Sequence, residues 1–126
     1  MKLPLSVSND SKEPIYHQIE SQLKTLIVSG ELPPGTLLPS IRALSTELSC
    51  SVITTRRAYQ NLENDGFIQT VQGKGTFVKE MDDQTYHETK TEIVAAALAK
   101  AVEHAELLGF SKDEIHSIFE RILHNR

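Results

Sequence analysis

The chain has 126 residues, 39% of them hydrophobic, and a formal net charge of −4 at pH 7. This length suits one domain or a small domain with an appendage, and the apolar content excludes a disordered chain. The single cysteine, Cys50, excludes an internal disulfide, is typical of a reducing cytoplasm, and is expected to be a small buried apolar side chain. We expect no signal peptide and no membrane partner, because no apolar run approaches the roughly 20 residues of a membrane span.

The charge is divided unevenly along the chain. Residues 1–80 hold eight Lys and Arg against eight Asp and Glu, whereas residues 81–126 hold five against nine. Residues 40–60 contain three arginines and one glutamate, a local net charge of +2. Any attraction to nucleic-acid phosphate would therefore be local, so we expect weak non-specific binding and an acidic tail that faces away from DNA.

The first predicted element is a helix that follows a loose arm over residues 1–12. Pro14 suits the start of a helix, because the N–H that proline lacks has no partner at that position. Apolar residues then recur on one helical face until Gly30 ends the helix, and a short strand is predicted over residues 36–38. The apolar face consists of Ile15, Ile19, Leu23, Leu26 and Ile27.

Two short helices joined by a tight turn are predicted over residues 40–65. Ser40 and Ser51 are suited to cap these helices, because a serine oxygen accepts a free N–H of the first turn. The second helix opens with small, polar and β-branched side chains and two arginines, which suits the major groove of DNA. Gly66 ends it. The inward side chains would be Ile41, Leu44 and Leu48 in the first helix and Thr55, Ala58 and Leu62 in the second.

A glycine-punctuated hairpin follows directly. Its strands are predicted at residues 67–71 and 76–78, around a turn at Gly73, Lys74 and Gly75. Such a hairpin after two short helices is typical of the wing of a winged helix-turn-helix. The glycines let the backbone approach DNA closely, and the exposed lysine adds a cation.

The tail from residue 81 onward predicts a helical hairpin. Residues 81–85 form a linker or the start of a helix that runs to Leu108, and Gly109 supplies the left-handed residue that ends it. Ser111 and Glu114 are spaced as a capping box, so they begin a second helix.

Two helices in about 45 residues cannot bury both of their apolar faces against each other. A second copy of the chain is the simplest partner for these faces. A two-fold dimer would also explain how a small DNA-binding domain achieves sequence selectivity, since it binds two half-sites. The predicted dimerisation residues are Val94, Ala97, Leu98, Ala101, Ala105, Leu108, Ile115, Ile118, Phe119 and Ile122.

The predicted fold class is therefore mainly α with a small β-wing, a winged helix-turn-helix plus a C-terminal helical hairpin. The predicted domains are a DNA-binding domain over residues 12–80 and a two-helix dimerisation tail over residues 81–126.

Several motifs together resemble the GntR family of bacterial regulators. They are PIYHQI at residues 14–19, SGELPPG at 29–35, LPSIRAL at 38–44 and GKGTFV at 73–78, with further matches between residues 58 and 68. The resemblance covers residues 12–80, and the short tail is similar to the YtrA-like subfamily. The resemblance implies a homodimeric repressor of its own operon, of adjacent ABC-transporter genes, or of both.

The resemblance implies that the helix over residues 51–65 reads the major groove of an inverted-repeat operator, while the wing at 70–78 reaches the minor groove. Arg42 would contact a base or phosphate, with an ion pair to Glu47 as the alternative. Arg57 would contact a phosphate or remain solvated. The predicted DNA-binding residues are Ser40, Arg42, Ser51, Val52, Ile53, Thr54, Arg56, Arg57, Gln72, Gly73, Lys74 and Gly75.

One departure from the family pattern concerns Val52 and Ile53. Many relatives carry an arginine at the first position and a polar residue at the second. Two alternatives stay open for an apolar side chain here: contact with a thymine methyl group, or an inward position. Tyr16 and Tyr59 are expected to be packing residues.

Two other classes of function are weighed against a DNA-binding regulator. One is a winged-helix protein-interaction module, which the arginines and the wing disfavour. The other is the DNA-binding portion of a larger regulator with an aminotransferase-like domain and pyridoxal phosphate, for which the 46 residues after Glu80 are too few. No motif of an enzyme, cofactor site or metal site occurs, so we expect none of these. An unidentified small-molecule effector would bind at the dimer interface or near residues 80–90.

Overall fold

The computed structural model describes residues 2–126, and within them five helices and two strands follow one another along the chain. The chain divides into two compact units, with the division after His87. This arrangement confirms the predicted fold class. The elements are α1 (Ile15–Val28), α2 (Ile41–Leu48), α3 (Val52–Asn64), β1 (Ile68–Val71), β2 (Gly75–Val78), α4 (Asp83–Leu107) and α5 (Lys112–His124).

Helix α3 is the centre of the first unit. Both α1 and α2 pack against it, and β1 contacts its C-terminal end. The predicted inward residues Thr55, Ala58 and Leu62 have no exposed surface, which confirms the helical period read from the sequence. The apolar side chains that complete this core include Ile19, Leu23 and Ile27 of α1, Leu44 of α2, Ile68 of β1 and Val78 of β2.

The wing differs in two details from the predicted hairpin, because β1 begins at Ile68 and not at residue 67, and β2 begins at Gly75 and not at residue 76. β1 and β2 are antiparallel, with Val71 opposite Gly75, so the loop consists of residues 72–74. Gly75 therefore belongs to β2 and not to the turn. Its φ is +126°, and a Cβ atom there would lie 2.8 Å from Cδ1 of Leu37. An L side chain is strained at this φ, which explains the absence of a side chain at Gly75, and the end of the Leu37 side chain would also have to shift.

The strand predicted at residues 36–38 is reduced to a single bridge. Leu37 pairs with Phe77 of β2, and hydrogen bonds flank the bridge on both sides. The Leu38 N–H donates to the Thr76 carbonyl at 2.8 Å, and the Val78 N–H donates to the Thr36 carbonyl at 2.9 Å. β2 is therefore hydrogen-bonded along both of its edges.

The prediction of a loose arm over residues 1–12 is wrong for residues 6–8, and residue 1 lies outside the described residues. The Ser8 N–H donates to Gln18 Oε1 at 2.9 Å, and Gln18 Nε2 donates to the Ser8 carbonyl at 2.9 Å. Gln22 and Ser6 exchange the same two bonds, at 3.0 and 2.7 Å. Two residues of extended chain advance about as far as four residues of helix. Two glutamines that are four residues apart in α1 can therefore bind two serines that are two residues apart in the arm. Leu3 is buried as well.

The turn between α4 and α5, in the second unit, has the predicted caps, and α4 ends at Leu107, one residue before the predicted Leu108. Gly109 has a φ of +91°, and the Phe110 N–H donates to the Ala105 carbonyl at 3.1 Å, as in a Schellman motif. Ser111 and Glu114 form the capping box, with each side chain accepting the other residue's N–H. The backbone and side-chain hydrogen bonds from Ser111 hold the pKa of Glu114 below its usual value.

Most apolar side chains of this unit are exposed, because α4 and α5 contact each other little along their lengths. Ile115 is buried, and Ala105, Ile118 and Phe119 are half-buried. Leu107 and Leu123, which were not predicted, are 83% and 71% exposed. The other predicted dimerisation residues are exposed, namely Val94, Ala97, Leu98, Ala101, Leu108 and Ile122.

The turn between α2 and α3 contains an unusual backbone conformation. Ser49 has a φ of +54° and is the one non-glycine residue with positive φ within residues 2–126. Its N–H donates to the Thr46 carbonyl at 3.3 Å, while the Cys50 N–H donates to the Ser45 carbonyl at 3.1 Å. The left-handed conformation costs an L-residue about 1–2 kcal/mol, and glycine avoids most of that cost.

We therefore predict that Ser49→Gly raises the free energy of unfolding by up to about 1 kcal/mol, since part of the gain is offset by the greater entropy of unfolded glycine. Ser49→Val should lower it by more than about 1 kcal/mol, because a β-branched residue is strained at positive φ. Urea unfolding measures both. Ser21→Gly, at an exposed site inside α1, is the matched control and should destabilise by about 0.5 kcal/mol. Equal destabilisation by the two glycine substitutions would contradict the assignment.

Candidate nucleic-acid interface

The rotation of α3 about its own axis is fixed by Thr55, whose hydroxyl lies in the corner between α2 and α3. Thr55 Oγ1 lies 2.8 Å from Ser45 Oγ and donates to the Ser51 carbonyl at 3.2 Å. Cys50 Sγ lies 3.3 Å from the same oxygen. Cys50 is half-buried and hydrogen-bonded, so it is not the buried apolar side chain that the sequence predicted. A buried hydroxyl without hydrogen-bond partners destabilises the folded state. The bonds of Thr55 therefore oppose rotation of α3 about its axis.

The first turn of α3 places its polar and apolar side chains differently. Ser51 Oγ accepts the Thr54 N–H at 3.0 Å and donates to Thr54 Oγ1 at 2.8 Å. These two predicted groove residues are thus bonded to each other, with Ser51 exposed and Thr54 half-buried. Val52 is half-buried, whereas Ile53 is 81% exposed. Ile53 therefore projects furthest from this end of the helix.

A continuous exposed stripe runs along α3 from Ile53. It continues through Arg56 and Gln60, at spacings of three and four residues, and all three side chains are exposed. Within the described residues, Arg56 forms no ion pair. Gln60 was not predicted as a site residue, although the helical period that places Ile53 and Arg56 on one face includes it. We name the stripe of Ile53, Arg56 and Gln60 the reading face.

Arg57 lies beside the reading face and has a different environment. Its guanidinium carbon lies 3.8 Å from the centre of the Tyr16 ring, so the side chain is stacked on α1. A stacked guanidinium keeps its N–H groups in its own plane, where they can donate to a phosphate. Tyr16 is thus a stacking platform for an arginine as well as a packing residue.

Helix α2 begins with the next two predicted site residues. Ser40 Oγ accepts the Ala43 N–H at 3.1 Å as the N-cap. Arg42 is exposed, and no ion pair with Glu47 or any other described residue engages it. The predicted alternative of an Arg42–Glu47 ion pair is therefore wrong for this structure.

Tyr59 joins the start of α2 to α3. Its buried hydroxyl donates to the Pro39 carbonyl at 2.7 Å. Burial, and to a lesser extent the nearby charge of Glu47, raises the pKa of the Tyr59 phenol far above its ordinary value. Tyr59 is thus a packing residue, as predicted, and it fixes where α2 begins.

The tip of the wing carries the remaining predicted contacts. Gln72, Gly73 and Lys74 are exposed, and the described part of the chain gives Lys74 no ion pair. The Lys74 N–H donates to the Val71 carbonyl at 2.9 Å, and Gly73 has a φ of +80°, as the third position of a type II turn requires.

The base of the wing is joined to α3 by a carboxylate. Glu63, near the end of α3, accepts the Thr70 N–H at 2.9 Å and the Thr70 hydroxyl at 3.3 Å. The orientation of the wing is thereby coupled to that of the reading face. This contact was not predicted, because nothing in the spacing of the two residues distinguishes it from other polar pairs.

The described residues form neither a metal-binding cluster nor a membrane-spanning helix. Across residues 2–126, no three or more His, Cys, Asp or Glu side chains are grouped so that they could hold a metal ion. No helix in this part of the chain combines the length and the apolar character needed to cross a membrane.

Comparison with known proteins gives a consistent result. Residues 15–78 match the family model described as bacterial regulatory proteins, gntR family. The chain is 32% identical over 118 residues to the HTH-type transcriptional repressor YtrA of Bacillus subtilis, covering 94% of this chain and 91% of the relative.

Solved structures share the fold. A GntR family transcriptional regulator from Listeria monocytogenes superposes with a TM-score of 0.72 at 31% identity, covering 89% of this chain and 97% of that one. AraR(DBD) in complex with an operator matches with a TM-score of 0.50 at 29% identity, covering 62% of this chain and 90% of that one. These relatives are DNA-binding transcription regulators and not enzymes. The chain belongs to the GntR family of bacterial regulatory proteins.

Proposed function

We propose that this DNA-binding regulator is a homodimeric repressor that reads an inverted-repeat operator. The observation that carries the proposal is the set of exposed cations without ion-pair partners among the described residues, Arg42, Arg56 and Lys74, placed on α2, α3 and the wing. Each is free to displace counterions from phosphate or to donate to a base edge. The operator bound by AraR(DBD) supports duplex DNA as the partner.

In this proposal the reading face enters the major groove. Arg56 offers paired donors for guanine O6 and N7, and Gln60 offers a donor and an acceptor that suit adenine. Arg57, held against Tyr16, would contact a flanking phosphate. Gln72, Gly73 and Lys74 would bring the wing to the minor groove, where glycine allows close approach.

The proposal extends to the mode of regulation and to the genes that are controlled. The likeness to the repressor YtrA over nearly the whole chain supports repression, and the YtrA-like resemblance indicates the chain's own operon, adjacent ABC-transporter genes, or both. Such a regulator acts in the cytoplasm, where bacterial DNA lies. A protein-interaction module remains the alternative, and affinity for duplex DNA that does not fall steeply with salt would favour it.

We predict that Arg42→Ala and Arg56→Ala each reduce operator affinity by between about fivefold and about 150-fold, because each removes a charge-assisted contact worth roughly 1–3 kcal/mol. The thermal midpoint should stay nearly unchanged, since both side chains are exposed and unpaired. Fluorescence anisotropy at several salt concentrations measures the effect. A variant that has lost a phosphate contact should also lower the salt slope by about 0.9.

The matched control is Lys112→Ala, which removes an exposed cation from the start of α5 and should leave operator binding as it is. Unchanged binding by both arginine variants would contradict the proposed interface.

The homodimer is proposed from the exposed apolar surface of residues 88–126. Residues 93–102 are apolar except for Lys100, and they face several sides of α4. A helix that is apolar on all sides is normally buried on all sides. The small mutual contact of α4 and α5 leaves this surface for a second copy, and isologous pairing would present two reading faces to successive major grooves.

We predict that Leu98→Glu converts the dimer into monomers, because a carboxylate in an apolar interface loses its hydration. Sedimentation equilibrium should show the mass of one chain, where the unaltered protein shows two. Operator affinity should fall along with the mass, since each monomer holds one half-site. Ser117→Glu, on the polar side of α5, adds the same charge and should remain dimeric. A dimeric Leu98→Glu would exclude α4 from the interface.

A further inference from the structure

Ile53 is unusual among the apolar side chains of the first unit. Leu37 and Ile53 are the large hydrophobic residues classed as exposed within residues 2–87, and Ile53 is the more exposed, at 81%. Leu37 approaches Gly75 of the wing. Ile53, by contrast, is the second residue of α3 and belongs to the reading face. Its exposure therefore coincides with the surface proposed to meet DNA.

The outward direction of Ile53 is fixed by the other side of its own helix. Thr55 lies two residues further on, which is about 200° around the helix, and its hydroxyl is buried and hydrogen-bonded. Turning Ile53 inward would expose Thr55 and break those bonds. The inward alternative left open by the sequence is therefore wrong for Ile53, whereas Val52 is half-buried. A β-branched side chain in a helix also has one strongly preferred rotamer, so little side-chain entropy remains to be lost on contact.

The chemistry of the major groove determines what such a side chain can recognise. Isoleucine neither donates nor accepts a hydrogen bond, so a polar base edge placed against it would lose water without compensation. Thymine is the one standard base that presents an apolar group there, its 5-methyl. The polar side chains on either side of it in sequence, Ser51 and Thr54, are bonded to each other, which leaves Ile53 as the projecting group of this turn.

We propose that Ile53 is a specificity-determining residue that reads the 5-methyl group of one thymine in each half-site. This inference rests on the proposed function, since it needs α3 in the major groove. Arg56 lies one turn further along the same face, so the thymine should lie close to the base or phosphate that Arg56 contacts.

The test uses the full chain and a duplex that it selects from a randomised pool. Each thymine of the selected site is then replaced singly by deoxyuridine, which removes the methyl group and nothing else. At one thymine of a half-site the unaltered protein should lose about fourfold in affinity, the effect expected of one apolar carbon group. In Ile53→Ala the same replacement should have no effect, because the partner of the methyl group is gone.

Two further variants separate contact from general disturbance. Ile53→Val keeps a β-branched apolar side chain and should keep the sensitivity to deoxyuridine. Asn64→Ala changes an exposed residue at the far end of α3 and should keep it as well. The proposal is overturned if no thymine is sensitive, or if the sensitivity persists in Ile53→Ala. Failure to enrich any sequence from the pool would overturn the proposed function along with it, whereas a selected site without deoxyuridine sensitivity overturns this inference alone.

Discussion

The buried hydroxyl of Thr55 is the constraint on which the arrangement of this protein depends. It lies where α2 meets α3 and is hydrogen-bonded to Ser45 and Ser51. Each residue of a helix is turned about 100° from the last, so a shift of one position would replace the whole exposed stripe. Because the Thr55 hydroxyl is buried, α3 is held at the one rotation about its axis at which this hydroxyl is hydrogen-bonded. Any other rotation would leave it without partners. The reading face is therefore a consequence of packing on the opposite side of α3.

The rest of the first unit is joined to the same helix. Tyr59 holds the start of α2 through Pro39, and Glu63 holds the base of the wing through Thr70. Arg57 is stacked on Tyr16 of α1. Every element that presents a predicted DNA contact is thus positioned by a side chain of α3. A small protein can in this way hold several contacts in one geometry without a large core.

Much of this could be predicted from the sequence, since it depends on local periods and caps. The inward set of Thr55, Ala58 and Leu62 follows from helical spacing, and the capping box of Ser111 and Glu114 follows from two residue types three positions apart. The same period contains Gln60, but a polar residue on a helix gives no sign of whether it faces solvent or DNA.

The remaining features depend on contacts between distant parts of the chain. Gln18 and Gln22 hold an arm that is 10 and 16 residues away, and glutamine in a helix is common enough to carry no such signal. Gly75 is explained by its positive φ, and the Leu37 side chain, far from it in sequence, lies close to the position that a Cβ atom would occupy. The predicted inward position of Thr55 favours an outward Ile53, and the hydrogen bonds of the buried Thr55 hydroxyl decide between the two directions.

Helix α3 is proposed to have one face for DNA and one for packing, and chemical crosslinking distinguishes the two faces. Single cysteines are introduced along α3 in a Cys50→Ser background and offered an operator that carries a thiol tether in the major groove. We expect high disulfide yields at Ile53, Arg56 and Gln60, and low yields at Thr55, Ala58 and Leu62. Equal yields around the helix, or highest yields at the second set, would contradict the account.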